Sequence, residues 1–175
     1  PQFRPRRMPV PLWGPEFSDE EIKQALVGRD DCVCQEMESF DAVCHEVAAR
    51  IDRGEIIAWF QGRMEFGPRA LGSRSILADA RSPTMQSVLN LKIKFRESFR
   101  PFAPICLREH VHAWFQMREG EDSPYMLLVA SVRDEIRPPL PPDYDKAQGI
   151  DRLSFARSTI PAVTHVDYSA RVQTV

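Results

Sequence analysis

The sequence has no long apolar run: no stretch approaches the roughly 20 consecutive apolar residues that a membrane-spanning helix requires. It also lacks the basic, then apolar, then small-residue order of a secretory signal peptide. We therefore expect a soluble, cytoplasmic protein. Pro1 in place of an initiator Met, together with the strand-like ending ARVQTV, indicates a segment of a longer protein.

Cysteine is scarce, and its four positions do not form a disulfide framework in a chain without a secretory signal. We expect reduced thiols. A metal site built from Cys32, Cys34, Cys44 and His45 is disfavoured, because the spacing matches no usual zinc pattern and Cys44 falls inside a predicted helix.

A strong overall charge is absent too, since the net charge is only −2. This disfavours a protein that wraps a long nucleic acid, which would be basic along its length. The nucleotide-binding motifs with regular glycine spacing are also missing. Gly62 and Gly67 have the spacing of the two P-loop glycines, but Pro68 and Arg69 follow where Gly-Lys would be required.

What the sequence does have is a basic segment, residues 62–104, with eight Lys or Arg against three acids and a local charge of +5. Acidic stretches at 16–55 and 119–151 flank it. Because guanidinium groups make paired contacts with phosphate or carboxylate, this segment predicts an anion site. The alternative is a surface loop whose arginines pair with the acidic flanks.

The length of 175 residues and an apolar content of 43% predict one domain over 1–175, and the alternation of helix and strand patterns along the chain predicts the α/β class. Ser18 and Glu21 form a capping-box pattern that opens a first helix, and a second helix is expected at about 41–53. Residues 55–61 predict a buried strand. Ser82 is expected to cap a helix whose inward residues include Met85 and Leu89.

Further along the chain, residues 101–107 and 125–132 predict strands. The Pro-rich section 133–157 predicts a surface loop or lid. Residues 160–166 and 170–175 are expected to pair as a hairpin, which would place His165 and Asp167 on one face of a strand.

Three motifs carry a specific resemblance: GRMEFGPRALGSRSILADARSP, KFRESFRPFAP and PAVTHVDYSARVQTV. Together with the opening LWGPEFSDEEI, they resemble the C-terminal domain of the NodU/TobZ-type carbamoyltransferase family, which includes nodulation proteins and antibiotic O-carbamoyltransferases. The resemblance covers most of the chain, with the motifs in the family's order.

The resemblance implies a YrdC-like twisted mixed β-sheet flanked by helices, with a basic concave face. It also implies binding of ATP with Mg²⁺ and of carbamoyl phosphate, and formation of a carbamoyl-adenylate with release of pyrophosphate. In the family, an N-terminal ASKHA-type domain with an iron-type metal site transfers the carbamoyl group to an acceptor hydroxyl. We expect that domain of the full-length chain as the partner, and a homodimer stays open.

The candidate catalytic residues are cations of the basic segment. We assign Arg69 and Arg74 to one phosphate or to the carbamoyl group, and Lys94 and Arg96, together with the binding candidate Arg100, to the triphosphate or adenylate. The further binding candidates are Glu65, Ser73, Ser75, Arg100, His165 and Arg171. Glu65 would hold an arginine or assist magnesium, and His165 with Asp167 would contact the anion or simply complete a hairpin.

Phenylalanines at 66, 95, 99 and 102 alternate with these cations and would stack a nucleobase or, as we favour, belong to the core. Two rival classes of function remain. One is a nucleic-acid-binding YrdC-like module, and the other is a non-catalytic docking domain with exposed apolar patches.

Overall fold

The computed structural model describes residues 10–175. The chain forms two compact units, the first ending at Leu77 and the second running from Ala78 to Val175. Both contain short helices and a small sheet, so the predicted mixed α/β class is confirmed. The YrdC-like sheet with a basic concave face stays a prediction. Among the described helices, none combines the length and the apolar character needed to cross a membrane.

Over its described residues, 10–77, the first unit contains two helices and a two-stranded antiparallel sheet. Its elements are α1 (Asp19–Leu26), α2 (Phe40–Asp52), β1 (Ile57–Phe60) and β2 (Arg74–Leu77). The register pairs Ile57 with Leu77 and Phe60 with Arg74. Residues 61–73 therefore connect the two strands, and this connection, here called the anion loop, contains several of the predicted ligands.

Local sequence signals place both helices correctly. The capping box of α1 is confirmed: Ser18 Oγ accepts from the N–H of Glu21, and the Ser18 N–H donates to Glu21 Oε2 at 2.8 Å. The second helix lies within one residue of its predicted bounds and is followed by Gly54 at φ +84°. The prediction that β1 is buried is wrong. Its side chains alternate, and Phe60 is 56% exposed, because a two-stranded sheet leaves one face in water.

The second unit is built on a three-stranded sheet with the order β3-β5-β4. Its elements are α3 (Met85–Val88), β3 (Ile105–Cys106), α4 (Val111–Trp114), β4 (Leu128–Ser131) and β5 (Ser169–Thr174). The central strand β5 runs parallel to β3 and antiparallel to β4. The core comprises Val111, Phe115, Ala130, Val132, Ile160, Val163, Ala170 and Val172. The two strands predicted at 101–107 and 125–132 are confirmed in shorter form.

The predicted helix near Ser82 begins later than expected. Its N-cap is Thr84 rather than Ser82, because Met85 donates its N–H to the Ser82 carbonyl and closes a tighter turn first. Met85 and Leu89 are buried, as predicted. After Val88 the chain continues as a π-helix, Leu89–Ile93.

The predicted hairpin at the C-terminal end is wrong. Pro161–Val163 form a turn of 3-10 helix, and β5 instead pairs with β3 and β4. Pro161 has no N–H to donate to a strand partner, which disfavours pairing of this segment. His165 and Asp167 consequently lie in the turn before β5, so they do not share the face of a strand.

The Pro-rich section 133–157 is irregular, as predicted, but it is not wholly a surface loop. It forms three short 3-10 segments, Asp134–Ile136, Pro142–Lys146 and Gly149–Ser154. Tyr144 is buried, with its ring edge-on to Phe155 at 5.4 Å between centroids. This ring contact joins two of the 3-10 segments' neighbourhoods within the section itself, Tyr144 and Phe155.

Candidate functional site

Glu65 organises the anion loop of the first unit. Its Oε1 accepts hydrogen bonds from the backbone N–H groups of Leu71 at 2.8 Å, Ser73 at 2.6 Å and Arg74 at 3.2 Å. The residue is buried, with 7% of its surface exposed. One carboxylate oxygen thus fixes the course of the loop, which is neither of the two roles expected for Glu65 from the sequence.

The ionisation of Glu65 follows from these contacts. Burial acts to raise its pKa, but the backbone N–H donors together outweigh burial and hold the pKa below the ordinary value of 4.5. The ionised form is therefore the one that the folded loop stabilises.

This shift predicts an acid dependence of stability. Because the folded pKa is lowered, the contribution of Glu65 is fully present above pH 4.5 and is lost as the pH falls through the lower folded value. Urea unfolding across this range should show the advantage of the wild type over Glu65→Gln shrinking on acidification. An advantage that stays constant down to the acid limit would contradict the assignment.

Arg74 is occupied by the protein itself. Its guanidinium donates to the carbonyl oxygens of Gln61 and Gly62, each at 2.9 Å, and to that of Ser73 at 2.8 Å. It also lies over the ring of Phe60, 3.5 Å from the centroid. These contacts tie the two ends of the anion loop together, so Arg74 has a structural role here whatever anion it contacts.

Arg69 differs from Arg74. It is half-buried, and within residues 10–175 its guanidinium has neither a hydrogen bond nor an ion pair. The loop around it is shaped by Gly67 at φ +140° and Gly72 at φ +119°, conformations that favour glycine. Ser75 Oγ accepts from the N–H of Gly72 at 3.1 Å. The loop therefore presents a guanidinium that is available for an anion.

Arg96 lies just beyond the π-helix in the second unit and is anchored. Its Nε donates to Asn90 Oδ1 at 2.6 Å, and its guanidinium carbon lies 4.9 Å from the centre of the Phe102 ring. Asn90 is fully buried and donates to the carbonyls of Ser98 at 3.0 Å and Arg100 at 2.8 Å. The charge at Arg96 is thus held in one place.

The neighbouring cations are freer. Lys94 is exposed, and in the described part of the chain its ammonium group has no hydrogen bond or ion pair. Within residues 10–175, the guanidinium of Arg100 makes only a long ion pair with Glu97, at 3.9 Å. Phe95 has a left-handed backbone at φ +48° and is 86% exposed.

The phenylalanine prediction fails for three of the four residues. Phe66, Phe95 and Phe99 are exposed, and only Phe102 packs against the core, where it was expected. Three of the four phenylalanines of the basic segment therefore lie at the protein surface.

His165 belongs to a chain of hydrogen bonds in the turn before β5. Its Nδ1 lies 3.0 Å from Ser169 Oγ, and that hydroxyl donates to Asp167 Oδ1 at 2.7 Å. Burial lowers the pKa of His165 and outweighs the raising effect of Asp167. Arg171, the last candidate, is half-buried on β5 opposite Val129.

A cavity of about 280 Å³ in the second unit brings some of these residues together. Phe99 and Pro101, on either side of Arg100, line it together with His165. Arg100 and His165 belong to different sequence motifs and are 65 positions apart. The tertiary fold therefore places the KFRESFRPFAP and PAVTHVDYSARVQTV motifs around one cavity.

Sequence reasoning missed Arg157. It is buried, with 1% exposed, and it donates to the carbonyl oxygens of Arg152, Phe155, Thr164 and His165. Burial lowers the pKa of its guanidinium. No local pattern marks a buried arginine, because its partners are backbone groups that every sequence supplies.

The cysteines show no metal-binding arrangement in residues 10–175, where no group of three His, Cys, Asp or Glu side chains is suitably placed. Cys32 and Cys34 are exposed, with their Sγ atoms 4.0 Å apart.

Comparison with known proteins identifies the family. Residues 48–175 match the model described as the carbamoyltransferase C-terminus. An uncharacterised protein of Synechocystis sp. is 51% identical to this chain, over 98% of this chain and 28% of that protein's length. The nodulation protein NolNO of Sinorhizobium fredii is 38% identical, over 99% of this chain and 23% of its own length. A 3'-hydroxymethylcephem-O-carbamoyltransferase of Streptomyces clavuligerus is 40% identical, over 74% of this chain and 20% of its own length. The chain thus spans about a quarter of the length of these relatives, and it belongs to the carbamoyltransferase C-terminus family.

Proposed function

We propose that this chain binds ATP, as its magnesium complex, together with carbamoyl phosphate, and that it serves an O-carbamoyltransferase by forming a carbamoyl-adenylate. In this reaction, water first hydrolyses carbamoyl phosphate to carbamate and inorganic phosphate. An oxygen of the carbamate then bonds to the α-phosphorus of ATP, and pyrophosphate leaves. The acceptor hydroxyl would then be carbamoylated by an ASKHA-type domain with its own metal site. A cytoplasmic location is part of the same proposal.

The observation that supports this proposal is a set of unpaired or weakly paired cations in a chain of this family. Arg69 in the first unit and Lys94 in the second have no hydrogen bond or ion pair within residues 10–175. Guanidinium and ammonium groups that lack an internal acid are suited to neutralise phosphate oxygens. We assign the carbamoyl or phosphate group to Arg69, and the triphosphate to Lys94, Arg96 and Arg100.

The chemistry requires positioning and charge neutralisation more than a protein nucleophile. Arg74 and Glu65 would act as positioning residues, because their contacts shape the anion loop that presents Arg69. Glu65 is poorly suited to coordinate magnesium through Oε1, which already accepts from three N–H groups. Magnesium therefore enters the proposal with ATP, as part of the substrate.

Calorimetric titration of the chain with MgATP, with and without carbamoyl phosphate, tests the proposal. We expect saturable binding that Arg69→Ala and Lys94→Ala each weaken roughly tenfold, the loss expected for one charged hydrogen bond. Arg53→Ala and Lys146→Ala are matched controls, because both side chains are exposed and paired with surface acids, Glu55 and Asp143. These controls should bind as the wild type does.

Two outcomes would favour the rival classes. Binding of any oligonucleotide with an affinity that falls steeply with salt, without saturable ATP binding, would favour the nucleic-acid module. No heat and no thermal shift with ATP or carbamoyl phosphate at millimolar concentration would favour the docking domain.

A further inference from the structure

Two thiols lie close together in the first unit, apart from the candidate anion site. Cys32 and Cys34 are in the connection between α1 and α2, and both are exposed. Their Sγ atoms are 4.0 Å apart, close enough for one thiol to donate a weak hydrogen bond to the other. Cys44 is on α2, and Cys106 is half-buried in the second unit. Cys32 and Cys34 therefore form a thiol pair that small molecules can reach.

The segment that carries the pair can adjust its conformation. Residues 30–38 form neither helix nor strand, and Val33, between the two cysteines, is 98% exposed. A disulfide places its sulfur atoms about 2.05 Å apart, so the two thiols must approach each other by roughly 2 Å. Rotations within an exposed, irregular segment can supply this movement without disturbing the packing of the unit.

Both cysteines border one cavity of the first unit. Its volume is about 720 Å³, and apolar side chains contribute to its lining, those of Leu26, Val27 and Val33. This volume exceeds the lower limit of pockets that hold small organic ligands. A small organic disulfide therefore has room to meet either sulfur atom.

The charges near the pair select the kind of reagent. Residues 30–38 contain four acids and no basic residue. Lys23 and Arg29 each pair with one of the acids near the thiols, at 3.0 and 2.6 Å. The hydrogen bond with Cys34 is the largest cause that raises the pKa of Cys32 above its ordinary value of 9.0. The pair is therefore held as thiols at neutral pH, and its surroundings disfavour an anionic reagent.

We propose that Cys32 and Cys34 are a redox-active pair that a small uncharged disulfide converts reversibly into an intramolecular disulfide. The thiolate of one cysteine attacks a sulfur atom of the reagent, so that a mixed disulfide forms and one reagent thiol leaves. The thiolate of the other cysteine then attacks the protein sulfur of the mixed disulfide, and the second reagent thiol leaves. The pair loses two electrons and two protons, and the two reagent thiols gain them.

The resulting bond is labile. It closes a loop of only three residues, and a disulfide that closes a short loop removes little entropy from the unfolded chain. Exposed disulfides are also among those that thiols reduce most easily. Dithiothreitol should therefore restore both thiols. The inference does not depend on the proposed binding of ATP or carbamoyl phosphate, so each can fail without the other.

Reaction with hydroxyethyl disulfide, followed by alkylation of the remaining thiols, tests the inference. Mass spectrometry then examines the tryptic peptide 30–50, which contains Cys32, Cys34 and Cys44. In the wild type, this peptide should lose two hydrogens, carry no reagent and retain one thiol that is alkylated. The internal disulfide should exceed the mixed disulfide roughly tenfold or more, because a neighbouring thiol acts at a high effective concentration.

Three substitutions at exposed positions serve as controls, and each should leave the fold intact. Cys32→Ser and Cys34→Ser should each stop at the mixed disulfide, because the second thiol is missing. Cys44→Ser should form the internal disulfide as the wild type does. Mixed disulfides on both cysteines of the wild type, loss of the internal disulfide in Cys44→Ser, or no reaction of the thiols would each overturn the proposal.

The choice of reagent has its own test. Oxidised glutathione is negatively charged, so at low salt it should oxidise the pair more slowly than hydroxyethyl disulfide does. Added salt should narrow this difference, because it screens the acids of residues 30–38. Equal rates at low salt, or a difference that salt does not change, would contradict the selection of an uncharged reagent.

Discussion

Replacement of Arg157 by Met should lower the free energy of unfolding by about 3 kcal/mol, one of the two largest effects we expect in this chain. The guanidinium is buried and donates to four backbone carbonyls between positions 152 and 165. Methionine fills much of the same space but donates nothing, so these acceptors lose their partners in a place that water reaches poorly. Chemical denaturation followed by circular dichroism measures the loss.

Two further variants make the result specific. Arg133→Met removes a partly exposed arginine whose ion pair is with Glu135 at the surface, and it should cost less than about 1 kcal/mol. Arg157→Lys keeps the charge but offers fewer donors in a different geometry, and it should recover only part of the loss. Equal effects of Arg157→Met and Arg133→Met would refute the buried-anchor role.

Replacement of Glu65 by Ala should destabilise the first unit by about 2 kcal/mol, because three backbone N–H groups of the anion loop lose their common acceptor. If the proposed function is right, this replacement should also weaken the binding of carbamoyl phosphate roughly tenfold. Without the Glu65 contacts, the anion loop loses conformational entropy when it becomes ordered around Arg69 on binding. Thermal unfolding and calorimetry on the same samples measure the two effects.

Glu38→Ala is the matched control, because it removes an exposed acid of the same unit. It should leave both stability and binding near the wild-type values. If Glu65→Ala weakened binding without destabilising the unit, Glu65 would contact the ligand directly, and its role as a positioning residue would be wrong.

The helices and strands were predictable where local signals act alone. The capping box at Ser18 and the apolar periodicity of α2 depend on residues only a few positions apart, so they survive any tertiary arrangement. The start of α3 is not predictable in the same way, because Ser82, Pro83 and Thr84 all suit the first turn of a helix. The local turn geometry makes Thr84 the N-cap.

The C-terminal hairpin failed for a different reason. Residues 160–166 have a strand-like composition, but β5 pairs with β3 and β4, which are distant in sequence. Strand pairing depends on which edges the rest of the fold leaves open, and a single strand's composition does not encode that choice. The same change moved His165 from a strand into a turn.

The residues of the candidate site were likewise predictable only in part from the sequence. Charge and motif identified the cations and the family, because charge is a property of composition and the motifs are contiguous. Arg69 and Arg74 are nonetheless indistinguishable in the sequence. Only the structure separates an arginine that is held by three carbonyls from one that has no partner within residues 10–175.

The family, the helix starts that local capping controls and the position of the basic segment can be read from the sequence alone, because each of these is encoded in neighbouring residues. The packed fold shows which cations of residues 10–175 lack an internal partner, which phenylalanines are exposed, why Arg157 is buried and which motifs meet at the cavity by Phe99 and His165. These properties depend on contacts between distant segments, and burial and hydrogen-bond geometry exist only once such segments have packed together.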